Sequence, residues 1–277
     1  MLSYRHLYHA GNHADILKHY TLCRILSYLT QKDKPLRYID THAGAGRYDL
    51  NTSEAQKLQE YNDGIGRIRN APKTPALVKD YLNLVAKCGS NNSYSYPGSP
   101  WLAAQLLRPY DRLELCELHP QDFPRLEKTM SAFKNSHCYD VDGFQKSASL
   151  LPPVERRGVV FIDPSYELKQ DYSKVADHLQ VLTRKFSTGV YAIWYPIVNS
   201  DQVARLHRAV RKQQHEKIAC YELSVTADEA AKGMRGSGMI VINPPWSLTA
   251  EVTEFLEFAA PLVATDGGSH WRALDTL

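Results

Sequence analysis

The sequence predicts an α/β protein built on a mostly parallel sheet, and three observations support this fold class. Short runs of β-branched and aromatic residues alternate with longer segments of helical periodicity. Several of the runs end at an acidic residue, and one continues into a small glycine-containing turn. In parallel sheets such strand ends meet at one edge, where α/β proteins bind ligands. The clearest run, residues 159–162, leads directly into Asp163-Pro164-Ser165-Tyr166.

Length and composition indicate an ordinary soluble globular protein. The 277 residues suffice for one large domain, and we predict a single domain over 1–277 with a helical insertion at 51–96. A net charge of +3 permits a nucleic-acid partner if positive charges cluster. The five scattered cysteines predict reduced thiols and a cytoplasmic location. No membrane span or signal peptide is expected, and we predict a monomer.

The N-terminal segment concentrates histidine. We expect no metal there, because no cysteine or acid cluster completes the coordination geometry. Asn12 is expected to cap a helix over residues 13–29. This helix should bury one side and leave Lys18 and His19 facing a ligand. Five of the eleven histidines belong to this part of the chain: His6, His9, His13, His19 and His42.

A short strand at residues 36–39 precedes the first ligand-binding signal. It runs into residues 40–46, which read DTHAGAG. A strand followed by such a turn lets backbone approach a nucleotide or an S-adenosyl group. The turn lacks the third glycine of the dinucleotide fingerprint and the Lys-Ser/Thr of a P-loop. It therefore favours S-adenosyl binding, while a NAD-dependent dehydrogenase stays a weaker alternative.

The ends of two further predicted strands are expected to bring acidic residues to the same edge of the sheet. The strand at 112–117 ends in Glu117, a position that holds ribose hydroxyls in nucleotide-binding folds. The strand at 137–141 is followed by Asp142 and Gly143, and an acid there can accept a hydrogen bond from an adenine amino group. Between the glycine turn and these strands, Ser99 is a natural helix N-cap.

The remaining segments complete the predicted sheet and its helices. Residues 51–96 have helical spacing, and they can form a substrate lid or plain packing. A strand is predicted at 189–196, and residues 220–225 and 238–242 form a final strand pair. The basic helix at 205–215 can follow phosphates, although a solvated helix face is the commoner meaning of such a run.

Two tetrads compete for the chemistry. Methyltransferases that act on amino groups of adenine or cytosine use Asp/Asn/Ser, Pro, Pro and an aromatic residue, and residues 243–246 (NPPW) match this pattern better than residues 163–166. The order of the strands along the chain argues against residues 243–246. The reaction needs the tetrad on the strand next to the glycine-turn strand, which is the fourth strand here. We therefore assign the chemistry to Asp163, Pro164 and Tyr166.

Several of these segments, taken in order, resemble the ribosomal RNA large-subunit methyltransferase J (RlmJ) family. The likeness covers essentially the whole chain. The family methylates N6 of one adenine in 23S ribosomal RNA with S-adenosyl-L-methionine. The resemblance implies a Rossmann-like methyltransferase fold with a mixed, mostly parallel seven-stranded sheet and a helical insertion. The segments are YRHLYHAGNHADILKH, YIDTHAGAGRY, YPGSP, ELHP, DGF, IDPSYE, WYP and GMIVINPPW.

The resemblance also implies roles for individual residues. Asp163 would be the catalytic proton acceptor as well as a cofactor contact, and Tyr4 would contact the RNA. We further expect Lys18 to help hold the RNA backbone. The implied cofactor contacts are His19, His42, Ser99, Glu117, Asp142, Gly143 and Asp163.

One position departs from the family pattern. The family tetrad is Asp-Pro-Pro-Tyr, and Ser165 stands in place of the second proline. The Asp163 carboxylate, the Pro164 carbonyl and the Tyr166 ring are retained, so the expected consequence is a less rigid loop and lower activity. Two alternatives follow from the motifs. One is a DNA adenine-N6 methyltransferase, and the other is an RNA-binding protein of the same fold with weakened catalysis.

Overall fold

The computed structural model describes residues 5–89, 94–227, 233–265 and 268–277. Ten strands alternate with ten helices along these segments. The strands are β1 Arg37–Asp40, β2 Arg47–Asp49, β3 Ser95–Pro97, β4 Arg112–Cys116, β5 Ser136–Tyr139, β6 Gly158–Ile162, β7 Val190–Ile197, β8 Ile218–Ser224, β9 Gly236–Ile242 and β10 His270–Leu274. The helices are α1 His13–Leu29, α2 Ser53–Leu58, α3 Arg67–Arg69, α4 Ala76–Cys88, α5 Ser99–Leu106, α6 Phe123–Met130, α7 Gly143–Ser149, α8 Asp171–Lys185, α9 Ser200–Arg211 and α10 Leu248–Val263.

The central sheet has the strand order β10-β8-β9-β7-β6-β1-β4-β5. β7, β6, β1, β4 and β5 are mutually parallel, so their carboxyl ends share one edge. The glycine-turn strand β1 lies between β4 and β6, with Asp40 in register with Leu115 and Phe161. Asp163 follows the end of β6 and therefore lies beside the glycine turn. The α/β fold class is confirmed, and β6 is adjacent to the glycine-turn strand as the chain-order argument requires.

The sheet has eight strands rather than the expected seven. The additional strand is β10, which pairs antiparallel with β8 at the outer edge. Its residues alternate between exposed and half-buried. A short, half-polar edge strand lacks the continuous apolar run that marks a buried strand, so no local pattern predicted it. A separate two-stranded sheet pairs β2 with β3.

The rival tetrad lies at the opposite edge of the sheet. β9 runs antiparallel to β7, so Asn243 emerges where β7 begins. The Asn243 side-chain amide donates to the carbonyls of Ser187 (2.8 Å) and Gly189 (2.7 Å). This position is remote from the carboxyl ends of the parallel strands, which agrees with the rejection of residues 243–246 as the catalytic tetrad.

Helix α1 is buried on more sides than expected. Asn12 caps it as predicted, accepting hydrogen bonds from Ala14 N (2.9 Å) and Asp15 N (3.0 Å). The helix packs against the sheet and also against α5 and α10. Lys18 and His19 are consequently only 4% and 2% exposed, where one-sided burial would have left them open.

The segment between β2 and β3 is helical. It contains α2, a π-helical turn at Asn62–Gly66, α3 and α4. Ile65 N donates to the Gly11 carbonyl (2.9 Å), so this segment packs on the N-terminal turn. The assignment of residues 51–96 as an insertion within a single domain stays a prediction. None of the helices in the described ranges combines the length and the apolar character needed to cross a bilayer.

Candidate active site

A cavity of about 500 Å³ opens at the carboxyl edge of the parallel strands. This volume suits a ligand of cofactor size. The cavity brings together almost every site residue proposed from the sequence. Tyr4 lies outside the described residues. The proposed residues that line the cavity are Lys18, His19, His42, Ser99, Glu117, Asp142, Gly143, Asp163, Pro164 and Tyr166.

Two glycines allow the loops around the cavity to approach one another. Gly44, in the turn after β1, has φ +60°, which favours glycine. A Cβ there would overlap the Tyr48 hydroxyl. A Cβ at Gly143 would overlap the Thr41 carbonyl oxygen, so the turn after β1 and the start of α7 meet without side-chain space between them. At these two positions any larger residue would force the loops apart.

Asp40 accepts hydrogen bonds from three groups around the turn after β1. It is fully buried and accepts hydrogen bonds from Ser99 Oγ (2.7 Å), Tyr38 Oη (2.7 Å) and His42 N (3.2 Å). Burial raises the pKa of Asp40 to about 7, although these donors oppose the shift. The expectation that Ser99 caps α5 is wrong. The N-cap residue is Gly98, which has no side chain to form a cap, and Ser99 is the first residue of the helix with its hydroxyl directed to Asp40.

The acidic residues that follow β4 and β5 also accept hydrogen bonds from backbone amides. Glu117 accepts from Gly44 N (2.7 Å) and His119 N (2.6 Å). Burial raises the pKa of Glu117 against these hydrogen bonds. Asp142 caps α7 by accepting from Phe144 N (2.8 Å). Both carboxylates are thus fixed in the cavity wall, and each oxygen can accept more than one hydrogen bond.

Two histidines of the cavity are uncharged near neutral pH. His19 Nδ1 lies 2.9 Å from Tyr96 Oη, and His42 Nδ1 lies 2.8 Å from Thr41 Oγ1. Burial lowers the pKa of each to about 3. Neutral rings at these positions add no positive charge to a cavity that also contains carboxylates.

The N-terminal histidines are directed to different partners. His6 Nε2 lies 2.9 Å from Asp15 Oδ2, and His9 Nδ1 lies 3.0 Å from Glu60. Within the described residues, the one group of potential metal ligands lies elsewhere. It consists of His207, Cys220 and Glu222.

Asp163 is joined to α1 by a buried lysine. Lys18 Nζ lies 2.7 Å from Asp163 Oδ2 and 2.9 Å from Asp15 Oδ1. Burial raises the pKa of Asp163, and the Lys18 charge opposes the shift. Burial acts likewise on Asp15, but His6 and Lys18 prevail and hold the pKa of Asp15 well below its usual range. Lys18, proposed as an RNA-backbone contact, is therefore part of the wall around Asp163.

Tyr166 closes the tetrad loop in a fixed orientation. Its φ is +51°, a left-handed conformation that is uncommon for tyrosine. Its hydroxyl donates to the Trp194 carbonyl (2.7 Å), and its ring packs on Tyr172 with centroids 4.6 Å apart. These contacts hold the Tyr166 ring at the cavity wall despite the serine at position 165.

Sequence reasoning missed two parts of this site. The Lys18–Asp163 contact joins residues 145 positions apart, so no local pattern reveals it. Asp15 and Lys18 are three residues apart on one helix face, which is the one signal that could have suggested a buried ion pair. Trp194, whose ring lies 5.1 Å from Lys18 Nζ, was identified only as part of an apolar strand.

Comparisons with known proteins agree on one family. The family described as "Ribosomal RNA large subunit methyltransferase D, RlmJ" matches residues 33–274. The ribosomal RNA large subunit methyltransferase J of Haemophilus influenzae is 44% identical over 273 residues, which is 98% of this chain and 97% of that protein. The protein of the same name from Escherichia coli K12 is 43% identical over 271 residues, with the same coverage. The crystal structure of LPL1258 from Legionella pneumophila has a TM-score of 0.89 and 38% identity, covering 97% of this chain and 98% of that one.

Proposed function

Because the chain belongs to the ribosomal RNA large subunit methyltransferase J family, we propose that it transfers the methyl group of S-adenosylmethionine to N6 of one adenine in 23S ribosomal RNA. One observation carries the choice of a base amino group as acceptor. Asp163 and Pro164 leave β6 beside the glycine turn of β1 and line the same cavity. The proposal includes a cytoplasmic location and a monomeric protein.

The cavity residues fit S-adenosylmethionine. When bound, this cofactor supplies a methyl group on a positively charged sulfur. Glu117 would accept hydrogen bonds from ribose hydroxyls, and Asp142 from the adenine amino group. His19, His42 and Ser99 would line the remainder of the cofactor site. The close backbone approach at Gly143 and the neutral histidines are compatible with a cationic ligand.

Asp163 and Pro164 would prepare the target nitrogen. Adenine N6 is a poor nucleophile because its lone pair is delocalised into the ring. The Asp163 carboxylate and the Pro164 carbonyl can each accept one N–H, which favours a tetrahedral nitrogen with its lone pair directed at the methyl group. Lys18 binds Asp163 Oδ2, and among the described residues this leaves Oδ1 for the substrate. Most of the catalysis is then positioning and electrostatics.

Asp163 would also take the proton as N6 becomes cationic. Burial brings its pKa nearer to neutrality and so makes it a better base, while Lys18 keeps it ionised. Lys18 is therefore proposed to act on the substrate side through Asp163. Tyr4 would contact the RNA itself.

Tyr166 would hold the base by stacking. Stacking of a base on an aromatic side chain contributes about 1–3 kcal/mol. The target adenine has to leave its stack to enter the cavity, and a single-stranded or looped RNA allows this at low cost.

Replacing Asp163 by Ala tests this proposal. Alanine can neither accept a hydrogen bond from N6 nor take the proton, so the single-turnover rate on unmodified 23S RNA should fall at least ~100-fold. Lys18 keeps Asp15 as a partner in this variant. Asp177→Ala, on the exposed face of α8, is the control and should keep the wild-type rate. Urea unfolding of both variants verifies that they are folded. A folded Asp163→Ala protein that retains a wild-type rate would contradict the assignment.

A further inference from the structure

The edge of the sheet opposite the cavity presents an exposed tryptophan. Trp246 is 84% exposed, a large fraction for so large an aromatic side chain. It follows Pro244-Pro245 and Asn243, whose φ is +53°. The two hydrogen bonds from the Asn243 amide hold this unfavourable conformation. The corner therefore displays Trp246 from a rigid base, and the catalytic site makes no use of it.

A basic pocket lies at the same edge. Its volume is about 230 Å³, and its eight lining residues include Lys32, Arg156 and Arg157 but no carboxylate. Arg156 is itself in a left-handed conformation, with φ +51°. The Arg157 guanidinium donates to the carbonyls of Leu29 (2.7 Å) and Lys34 (2.6 Å), which places a cation in the wall without a carboxylate partner among the described residues.

The acids closest in sequence to these cations are directed elsewhere. Asp33 accepts a hydrogen bond from Tyr110 and lies 4.0 Å from Arg108. Glu155 pairs with Arg37 at 3.1 Å. Neither of these two acids forms an ion pair with a cation of the pocket, and the chemistry of the pocket suits a phosphate group.

Two contacts place Trp246 at the same edge as this pocket. α1 ends and α10 begins at this edge, and these helices are joined by Arg24 Nε and Glu251 Oε2 at 2.6 Å. Leu29, the last residue of α1, lines the pocket, and Trp246 lies in the turn two residues before α10 begins. Asn243, three residues before Trp246, binds the carbonyls on either side of Thr188, another lining residue.

We propose that this distal surface, formed by Lys32, Arg156, Arg157 and Trp246, is a second binding site for single-stranded RNA. Trp246 stacks on an unpaired base and the pocket holds a backbone phosphate, the usual combination for sequence-tolerant RNA binding. The identity of the RNA rests on the proposed function. Because the distal surface and the cavity lie at opposite edges of the sheet, a single large RNA molecule contacts both. The protein then binds this RNA at a second point, away from the target adenine.

The test measures the affinity of the full protein for transcribed, unmodified 23S RNA between 50 and 200 mM salt, a range over which phosphate contacts change affinity strongly. Trp246→Ala should raise Kd about tenfold, and Trp246→Phe, which keeps an aromatic face, should stay within about threefold of wild type. The Lys32→Ala/Arg156→Ala double variant should lower the slope of log Kd against log salt by about one to two. Arg157 is left intact because it also holds main-chain carbonyls.

Two controls separate the distal surface from the catalytic site. Lys128→Ala removes an exposed charge on α6 and should change neither Kd nor the salt slope beyond a small effect. Binding of S-adenosylhomocysteine should be the same in all variants. Distal variants that bind RNA as Lys128→Ala does overturn the inference, whatever the wild type methylates. Loss of RNA affinity in these variants, with a wild type that methylates no RNA, would contradict the proposed function and leave the distal surface supported.

Discussion

At the scale of single residues, the candidate site depends on one buried cation shared by two carboxylates. Lys18 lies within hydrogen-bond distance of both Asp15 and Asp163. Breaking a buried pair by removing one partner leaves an uncompensated charge and typically costs about 3–5 kcal/mol. The same lysine opposes the rise that burial causes in the pKa of the proposed proton acceptor, so its stabilising and functional effects should appear together.

Replacing Lys18 by Met should move the pH dependence of the reaction. The Lys18 charge lowers the pKa of Asp163, so without it burial acts unopposed and the pKa rises. A protonated Asp163 cannot accept from N6, and the acidic limb of kcat/KM should therefore shift to higher pH. The control is Lys169→Met, which replaces an exposed lysine in the segment that follows Asp163. It should leave the pH profile unchanged. An unshifted acidic limb in a folded Lys18→Met protein would refute this role.

Asp40 predicts a pH-dependent stability. Its pKa rises from 3.8 in the unfolded chain to about 7 in the fold, so between these values the folded protein alone keeps the proton. The contribution is complete below 3.8 and is lost as pH rises through about 7. Between pH 5 and 8 the wild type should lose roughly 2–3 kcal/mol more stability than Asp40→Asn. Urea unfolding of both proteins across this range measures the difference, and parallel curves would contradict it.

At the scale of elements, the contact between the turn after β1 and the start of α7 limits what can stand at Gly143. A Cβ there would overlap the Thr41 carbonyl, so Gly143→Ala should destabilise the protein by about 1–3 kcal/mol and weaken binding of S-adenosylhomocysteine. In the control, Gly158→Ala, the new Cβ meets ordinary contacts, the nearest at 3.4 Å. Equal effects of the two substitutions on stability and binding would argue against this close approach.

The elements near the site were the most predictable part of the fold. α1 matches the predicted residues 13–29, and the strands bearing Asp40, Glu117 and Asp163 lie within a residue or two of their predicted ends. Each has at least four consecutive buried residues and ends at or next to an acid, and this is a local signal. β2 and β10 have no two consecutive buried residues. β2 is three residues long with both ends exposed, so only its pairing with β3 makes it a strand.

At the scale of the whole molecule, topology creates the site. The five parallel strands bring side chains from distant parts of the sequence to one edge, and this is why strand-end residues could be chosen from the sequence and found to line one cavity. The side-chain pairings across that edge could not be predicted. Lys18–Asp163 and Ser99–Asp40 depend on how α1 and α5 pack on the sheet, and no local pattern encodes that packing.

The same topology separates the two tetrads that composition could not separate. Because β9 is antiparallel to β7, Asn243 and Trp246 are carried to the opposite edge from Asp163. Motif quality alone would have placed the chemistry at the edge opposite the cavity. On our account, the two edges have different tasks, with methyl transfer at one and RNA holding at the other.

The most direct test of the account is to identify the nucleoside that the protein methylates. The protein would be incubated with labelled S-adenosylmethionine and either unmodified 23S RNA or duplex DNA. The nucleic acid would then be digested, and its nucleosides separated and identified by mass spectrometry. The account predicts label in N6-methyladenosine from the RNA, about one per molecule, and none from the duplex. Label in another nucleoside, or in DNA rather than RNA, would contradict it.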